Sequence, residues 1–236
     1  SCDIALVNGA KPLIRQEGFI DKYMVRVPMV DVSAIGSGGG SIAWLDKAGG
    51  LKVGPHSAGS EPGPACYDRG GTEPTVTDAS LVLGLIDPDF FAGGRFNLNI
   101  DKAYNAISEK IAKPLSLTVE EAALGIHKVL NAQMAEGIRF ISIKQGFDPR
   151  DFVLMGLGGG GPLHACELAN ELSIRKVLVP IQPGVLSAQG LLSAPIEHEV
   201  SSSFGKVLKQ VSISDVKKGL NELSSEAGKL MAKEGI

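Results

Sequence analysis

The glycine turn at residues 156–161 is the place in this sequence where residue types and spacing most clearly allow chemistry. It matches the pattern G-x-G-x-x-G and stands between an apolar run and Pro162, a residue that favours the first turn of a helix. Glycines let the backbone approach a ligand closely, and a helix N-terminus offers free N–H groups and a partial positive charge. The turn therefore either binds an anionic ligand or is a tight strand–helix connection without one.

Several specific activities do not fit this turn. A dinucleotide site would need an acidic residue about 20 positions later, at the end of the next strand, and residues 179–183 contain none. No lysine of the P-loop type follows the glycines. Ser57 lacks the glycine that precedes a nucleophilic serine by two positions, which disfavours a serine nucleophile.

A second candidate region is the segment 54–78, which is rich in glycine, proline and serine. Loops of this length inside a compact domain are functional or disordered, and Cys66, Tyr67 and the regular prolines favour an ordered loop. Glu61, Cys66 and Tyr67 are candidates to line a cleft. Cys66 is better interpreted as a packed thiol than as a nucleophile.

The remaining candidates each have two interpretations. Asp78 is either a ligand of substrate or of a magnesium-bound water, or the N-cap of a helix at 79–84. Gly38–Gly40 either meet phosphate or substrate, or allow a close approach within a hairpin. His164, on the first turn after the glycines, could face phosphate, but packing is the preferred interpretation. The other histidines are interpreted as structural or exposed: His56, His127 and His198.

The elements that must position these residues include both strands and helices. The helix at 119–144 is the clearest, because Thr118 and Glu121 form a capping box and apolar residues recur at helical spacing. The other predicted helices cover 79–86, 101–112, a segment opened by Pro162, 187–192, and Ser212 to about 233. The predicted strands cover 3–8, 12–20, 23–35, 42–46, 51–53, 152–157, 176–180 and 197–204. This order predicts an α/β fold with a mixed sheet flanked by helices.

Composition excludes some partners. The 236 residues carry a net charge of −3 with both signs interspersed, which gives no reason to expect nucleic acid or an anionic membrane surface. No apolar run approaches the roughly 18–20 residues that span a bilayer. The three cysteines are odd in number and far apart, which suits reduced thiols, so a cytoplasmic location is expected.

In three segments the sequence resembles the hydantoinase A, 5-oxoprolinase and acetone carboxylase family. Those segments are 35–45, 53–67 with its continuation through 70–79, and Gly158–Gly161 with 162–165. Together with 148–151 they occur in family order across about residues 1–205. The segment 53–67 is the most specific of the three.

The resemblance implies an actin-like fold of two ribonuclease-H-like lobes with ATP between them. Residues 1–205 would be the second, adenine-side lobe, with a long ordered loop at 36–78, and residues 206–236 a truncated C-terminal helical extension. Gly158–Gly161 would be the adenosine segment, and Asp3 the remnant of a phosphate-binding hairpin. The candidates for a substrate or phosphate cleft are Gly38, Gly39, Gly40, Glu61, Cys66, Asp78 and His164. No catalytic residue and no direct metal ligand is assigned.

The resemblance also implies an activity and partners. The family uses ATP with Mg²⁺ to open a cyclic amide, as in N-methylhydantoinase or 5-oxoprolinase, or to carboxylate a ketone. The expected partners are a first lobe of the same polypeptide, a hydantoinase B-type subunit and a small cyclic amide. Because that first lobe is absent from the sequence, the chain alone is expected to be inactive. A ketone carboxylase subunit and a non-catalytic actin-like assembly module are the alternatives.

Overall fold

The computed structural model describes residues 1–235, grouped into two compact units, of which the first is Ser1–Leu186 and the second begins at Ser187. The strands are β1 Cys2–Ala5, β2 Val7–Asn8, β3 Lys11–Pro12, β4 Ile14–Arg15, β5 Gly18–Ile20, β6 Tyr23–Val25, β7 Met29–Val30, β8 Val32–Ile35, β9 Ser41–Leu45, β10 Leu51–Ser57, β11 Leu154–Met155 and β12 Val177–Leu178. The helices are α1 Val76–Val82, α2 Ile100–Ile107, α3 Lys113–Leu115, α4 Val119–Lys144, α5 Gly161–Glu171, α6 Leu186–Ser193 and α7 Ile213–Lys233. The mixture of strands and helices confirms the α/β class.

The first 35 residues form a ribbon of three extended segments, as predicted, but each segment is broken into short strands. β1 pairs with β8, β2 with β3, β4 with β7 and β5 with β6, all antiparallel. The segments meet where the N–H of Leu13 donates to Leu6 O and the N–H of Asp31 donates to Leu13 O. Pro12 in β3 and Pro28 between β6 and β7 have no N–H to donate, which limits the ladders beside them.

The prediction of one mixed sheet was wrong. Within residues 1–235 the strands form six two-stranded ladders, and β11 pairs in parallel only with β12. That pair is two residues long on each side, shorter than the predicted strands at 152–157 and 176–180. Gly156 follows one strand and Pro180 follows the other, and neither residue type favours a longer ladder.

The hairpin and the first helix follow the predicted order, with a shifted helix start. β9 and β10 form an antiparallel hairpin with an irregularity between Val53 and Ser57. α1 begins at Val76, three residues before the predicted start, because Thr75 is its N-cap and Asp78 closes the capping box. The N-cap role considered for Asp78 was therefore wrong in position, since Asp78 is the third helical residue.

The core of the first unit surrounds α4. Its N-terminus has the predicted capping box of Thr118 and Glu121, and most of its predicted apolar stripe is buried, with Val129 and Ile141 partly buried. The buried stripe consists of Ala122, Ile126, Leu130, Met134 and Ile138. α4 packs against α1, α5 and β10, and burial of each large aliphatic side chain contributes about 1.5–3 kcal/mol. Within the first unit, this long helix is the element against which α1, α5 and β10 pack.

The second unit is helical. The predicted strand at 197–204 was wrong, since residues 194–207 adopt neither strand nor helix. Three consecutive serines at 201–203 and Gly205 favour turns over a ladder. α7 ends at Lys233 and has the predicted Ser212–Asp215 capping box. None of the helices described here combines the length and the apolar character needed to cross a membrane.

Candidate functional site

The glycine turn lies between β11 and α5 and has a packed first half. A Cβ built on Gly156 would lie 3.0 Å from Ala165 Cβ, so glycine allows the strand to approach the helix closely. Gly158 has a φ of +80°, which favours glycine, and its N–H donates to Pro183 O over 2.8 Å. The start of the turn is therefore fixed by its own backbone contacts.

The second half of the turn is open. A Cβ built on Gly158, Gly159 or Gly160 would have no atom within 4 Å. Gly160 is the N-cap of α5 and provides no side-chain cap. Within residues 1–235, the N–H groups of Gly159, Gly160 and Gly161 donate to no main-chain acceptor. Three free donors at the start of an 11-residue helix, with open space around them, are suited to a polar or anionic ligand.

His164 is buried and lies inside the protein, not in the open part of the turn. Its Nδ1 is 2.8 Å from Asn131 Oδ1 on α4, and its ring stacks on His127 with centroids 5.1 Å apart. His127 Nε2 is in turn 2.9 Å from the hydroxyl of Ser80 on α1. The packing interpretation of His164 describes this position, and His127 is buried beside it.

Burial keeps this histidine pair neutral. Desolvation, together with the neighbouring His127, lowers the pKa of His164 to about 4. Desolvation alone lowers the pKa of His127. At neutral pH both imidazoles are therefore uncharged hydrogen-bonding groups in the interior.

The glycines at 38–40 are packed against other parts of the first unit. A Cβ on Gly38 would lie 2.9 Å from Ser1 N, one on Gly39 2.8 Å from Thr77 Oγ1, and one on Gly40 2.8 Å from Ser57 Oγ. Gly39 O accepts hydrogen bonds from both the N–H and the hydroxyl of Thr77. This segment is close to β1, which carries the exposed Asp3, and to the start of α1.

Asp78 is fully buried and anchors the loop to α1. Its carboxylate accepts from the N–H groups of Ala65 and Cys66 at 3.2 and 2.7 Å, and from the N–H and hydroxyl of Thr75 at 2.8 and 2.7 Å. Four donors occupy both oxygens, which accounts for a charge buried without a cationic partner. This arrangement leaves no oxygen directed at solvent or at a bound ion.

The other loop candidates divide by exposure. Cys66 is buried, and burial together with the charge of Asp78 raises the pKa of its thiol far above the ordinary value. It is thus a packed, protonated thiol, as the preferred interpretation had it. Glu61 is exposed, and Tyr67 is half-buried against Phe91 and Phe96.

The structure brings the predicted site residues together in two groups. One contains Gly38–Gly40, Cys66 and Asp78; the other contains the glycine turn and His164. Within the described part of the chain, no cluster of three or more His, Cys, Asp or Glu side chains is placed to hold a metal ion.

Sequence reasoning missed Asn131, which contacts His164, and Ser80, which contacts His127. Asn131 lies four residues after His127 on the predicted helix, so the shared helical face was a signal that could have found it.

The fold and this turn define an α/β protein with an open glycine turn at a helix N-terminus. Residues 1–200 match the hydantoinase/oxoprolinase family. The chain belongs to that family, which confirms the resemblance seen in the sequence.

Three relatives illustrate the range of the family. The caprolactamase subunit alpha of Pseudomonas jessenii is 45% identical over 199 residues, which cover 84% of this chain and 29% of the relative. The acetophenone carboxylase gamma subunit of Aromatoleum aromaticum is 47% identical over 207 residues, 86% of this chain and 28% of the relative. The 5-oxoprolinase 1 of Arabidopsis thaliana is 32% identical in an alignment of 253 residues, which covers all of this chain and 20% of the relative. The chain thus spans less than a third of these relatives.

Two solved structures are also similar. A nucleotide-free structure of acetone carboxylase, from work on ATP-dependent acetone carboxylation, superimposes with a TM-score of 0.84 at 28% identity, over 99% of this chain and 34% of that chain. The ATP-dependent caprolactamase of Pseudomonas jessenii superimposes with a TM-score of 0.68 at 47% identity, over 75% of this chain and 26% of that chain.

Proposed function

We propose that this chain is the second, adenine-side lobe of an actin-like ATP-binding protein that opens cyclic amides at the expense of ATP. One observation carries the proposal. The glycine turn of a chain 45% identical to a caprolactamase subunit is open around Gly158, Gly159 and Gly160, with free N–H groups beside that space. A ribonuclease-H-like lobe is supported by the mixture of strands and helices and by the similarity to two ATP-dependent enzymes.

In this proposal the glycine turn holds the nucleotide through its backbone. Without side chains at 158–160 the adenosine can lie directly on the main chain, and the N-terminus of α5 favours a partial negative charge there. The amide oxygen is a poor leaving group until it is phosphorylated. ATP would supply that phosphoryl group. The loop held by Asp78 and the segment at Gly38–Gly40 would form the wall of the substrate or phosphate cleft, with Asp3 and Glu61 exposed near its edge.

The Mg²⁺ expected with ATP would need oxygen ligands. Asp78 does not fit a direct ligand of Mg²⁺, because four donors satisfy its carboxylate internally. Mg²⁺ in nucleotide sites keeps several waters and is bound through one or two carboxylates and the phosphates, so the nucleotide would supply most of its ligands.

The proposed partners are a first lobe that closes over the phosphates and a B-type subunit. Several relatives are themselves named as subunits: caprolactamase subunit alpha, acetophenone carboxylase gamma subunit and acetone carboxylase beta subunit. A small cyclic amide would bind between the lobes.

Calorimetry on the 236-residue chain tests this proposal. We expect weak binding of ADP and ATP with about equal affinity, because the adenosine segment belongs to this lobe while the γ-phosphate contacts do not. We also expect little magnesium-dependent ATPase activity, since phosphoryl transfer needs the phosphates held from both sides. Absence of any nucleotide binding would favour the non-catalytic assembly module instead. Robust turnover by the chain alone would show that the lobes are misassigned.

A ketone carboxylase subunit is the second candidate. The TM-score of 0.84 to acetone carboxylase over 99% of the chain and the 47% identity to an acetophenone carboxylase subunit favour it. Phosphate release by the protein assembled with its partners separates the two. Stimulation by a lactam alone supports the amidase, and stimulation only by a ketone with bicarbonate supports the carboxylase.

A further inference from the structure

Four polar side chains, here called the polar seam, connect α1, α4 and the first turn of α5 inside the first unit: Ser80, His127, His164 and Asn131. Ser80 donates its single hydroxyl proton to Val76 O over 2.9 Å, so its oxygen accepts from His127 Nε2–H. Asn131 Oδ1 can only accept, so His164 carries its proton on Nδ1. Both hydrogen bonds of the seam thus have a defined donor and a defined acceptor, and the stacked rings of His127 and His164 connect them.

The seam fixes the helix turn that follows the glycines. Beyond the glycine turn, α5 is attached to α4 through the His164–Asn131 hydrogen bond and the stacking of His164 on His127. The close approach of Ala165 to Gly156 attaches α5 to the end of β11. Gly161 begins α5 and Gly159 and Gly160 directly precede it, so the direction of their free N–H groups depends on how the first turn of the helix is held.

The groups that hold the first turn of α5 are uncharged. Among residues 1–235, the pKa of His164 is shifted by burial and by His127, and the pKa of His127 is shifted by burial. The charges on the packed elements are engaged elsewhere or exposed: Asp78 on α1 accepts from the loop, and Lys128 on α4 and Glu167 on α5 are exposed. A buried polar contact of this kind specifies geometry because no water replaces it.

We propose that Asn131, acting through His164, is a positioning residue for the nucleotide-binding turn: the seam holds the N–H groups of Gly159–Gly161 in the direction that a nucleotide requires. The proposal rests on the proposed nucleotide function. Asn131 itself contacts no ligand; it sets the geometry of the groups that do.

The test compares two substitutions of nearly equal size. Asn131→Leu removes the acceptor, whereas Asn131→Asp keeps the acceptor and the size and adds a charge. Affinity retained in N131D and lost in N131L would therefore assign the loss to the missing hydrogen bond. We expect N131L to lower the affinity for ADP by roughly fivefold to tenfold, the worth of one buried hydrogen bond, and N131D to stay within about twofold of the unmodified protein. Glu167→Gln, on the exposed face of α5, is the matched control and should change nothing.

Amide hydrogen exchange in the absence of nucleotide supplies a readout independent of binding. We expect exchange of residues 157–163 to be severalfold faster in N131L and unchanged in N131D. If N131L does not fold, Ser80→Ala cuts the seam at its other end and should show the same pattern more weakly. Folded N131L with unaltered exchange at 157–163 and unaltered ADP affinity overturns the inference. If the exchange pattern appears but no protein binds ADP, the positioning role stands and the proposed nucleotide function fails.

Discussion

The two glycine segments of this chain look alike in sequence and differ in the structure. At 38–40 each glycine avoids an overlap, because an added Cβ would come within 2.9 Å of another residue. At 158–160 an added Cβ would meet nothing within 4 Å. The first segment needs glycine for packing, whereas the second leaves space that packing does not use.

This difference separates structural glycines from candidate binding glycines. A glycine required by packing should reveal itself in stability, and one that leaves space for a ligand should reveal itself in affinity. The residues that hold the two segments also differ. Asp78 anchors the loop beside the packed glycines, and His164 attaches the helix that follows the open turn to α4.

Replacing Asp78 should produce the largest loss of stability and strengthen the assignment of its surroundings as structural. In Asp78→Asn one carboxylate oxygen becomes an amide N–H₂, which cannot accept a hydrogen bond. It then faces either the N–H of Cys66, which donates to Oδ1, or the N–H groups of Ala65 and Thr75, which donate to Oδ2. We expect the free energy of unfolding to fall by about 4 kcal/mol, since charged hydrogen bonds are lost and donors are left unpaired. Urea denaturation measures it. Asp101→Asn, exposed in the first turn of α2, is the control and should change stability by less than about 0.5 kcal/mol.

Acid should destabilise the protein through the histidine pair. The pKa of His164 is lowered from 6.5 to about 4 by burial and by His127. Between these values the unfolded chain binds more protons than the folded one, so stability is full above about pH 6.5 and declines as the pH falls toward 4. The loss should reach about 3 kcal/mol. His164→Gln should flatten this part of the stability–pH curve, whereas the exposed His56→Gln should leave its slope as it was.

The local elements of this fold could be predicted from sequence, while the contacts between them could not. The capping boxes at Thr118 and Ser212 depend on residues three apart, and both were visible in the sequence. The role of Asp78 depends on Ala65 and Cys66, which lie 13 and 12 positions away, and local pattern does not encode that distance. For the same reason the single mixed sheet was predicted where short separate ladders form.

The candidate site was predictable to the same extent. The glycine turn and His164 could be found because motif and position mark them. That one glycine run is packed and the other open depends on Ser57 and Thr77, which reach Gly40 and Gly39 from distant parts of the chain.

Substitution at Gly39 probes the packed segment directly. In Gly39→Ala the new Cβ would lie 2.8 Å from Thr77 Oγ1, which donates to Gly39 O, so either that hydrogen bond or the backbone must shift. We expect a loss of about 2 kcal/mol in thermal or urea unfolding. Gly36→Ala in the same segment is the matched control, because its Cβ would meet nothing within 4 Å and should cost little. Equal losses for the two variants would remove the basis for calling this segment packed.

Substitution at Gly159 should have the smallest effect on stability and a separate effect on binding. In Gly159→Val the side chain enters open space without the strain of a positive φ, so we expect stability to change by less than about 1 kcal/mol. The same branched side chain would occupy the space against the backbone that we assign to adenosine, and affinity for ADP should fall at least tenfold, or about 1.4 kcal/mol. Gly36→Val, equally open but outside the turn, should leave ADP affinity unchanged. Calorimetric titration beside a thermal melt of each variant separates the outcomes. If Gly159→Val lowers the melting temperature sharply while the folded fraction binds ADP normally, this turn is structural like the one at 38–40, and the contrast between the two segments disappears.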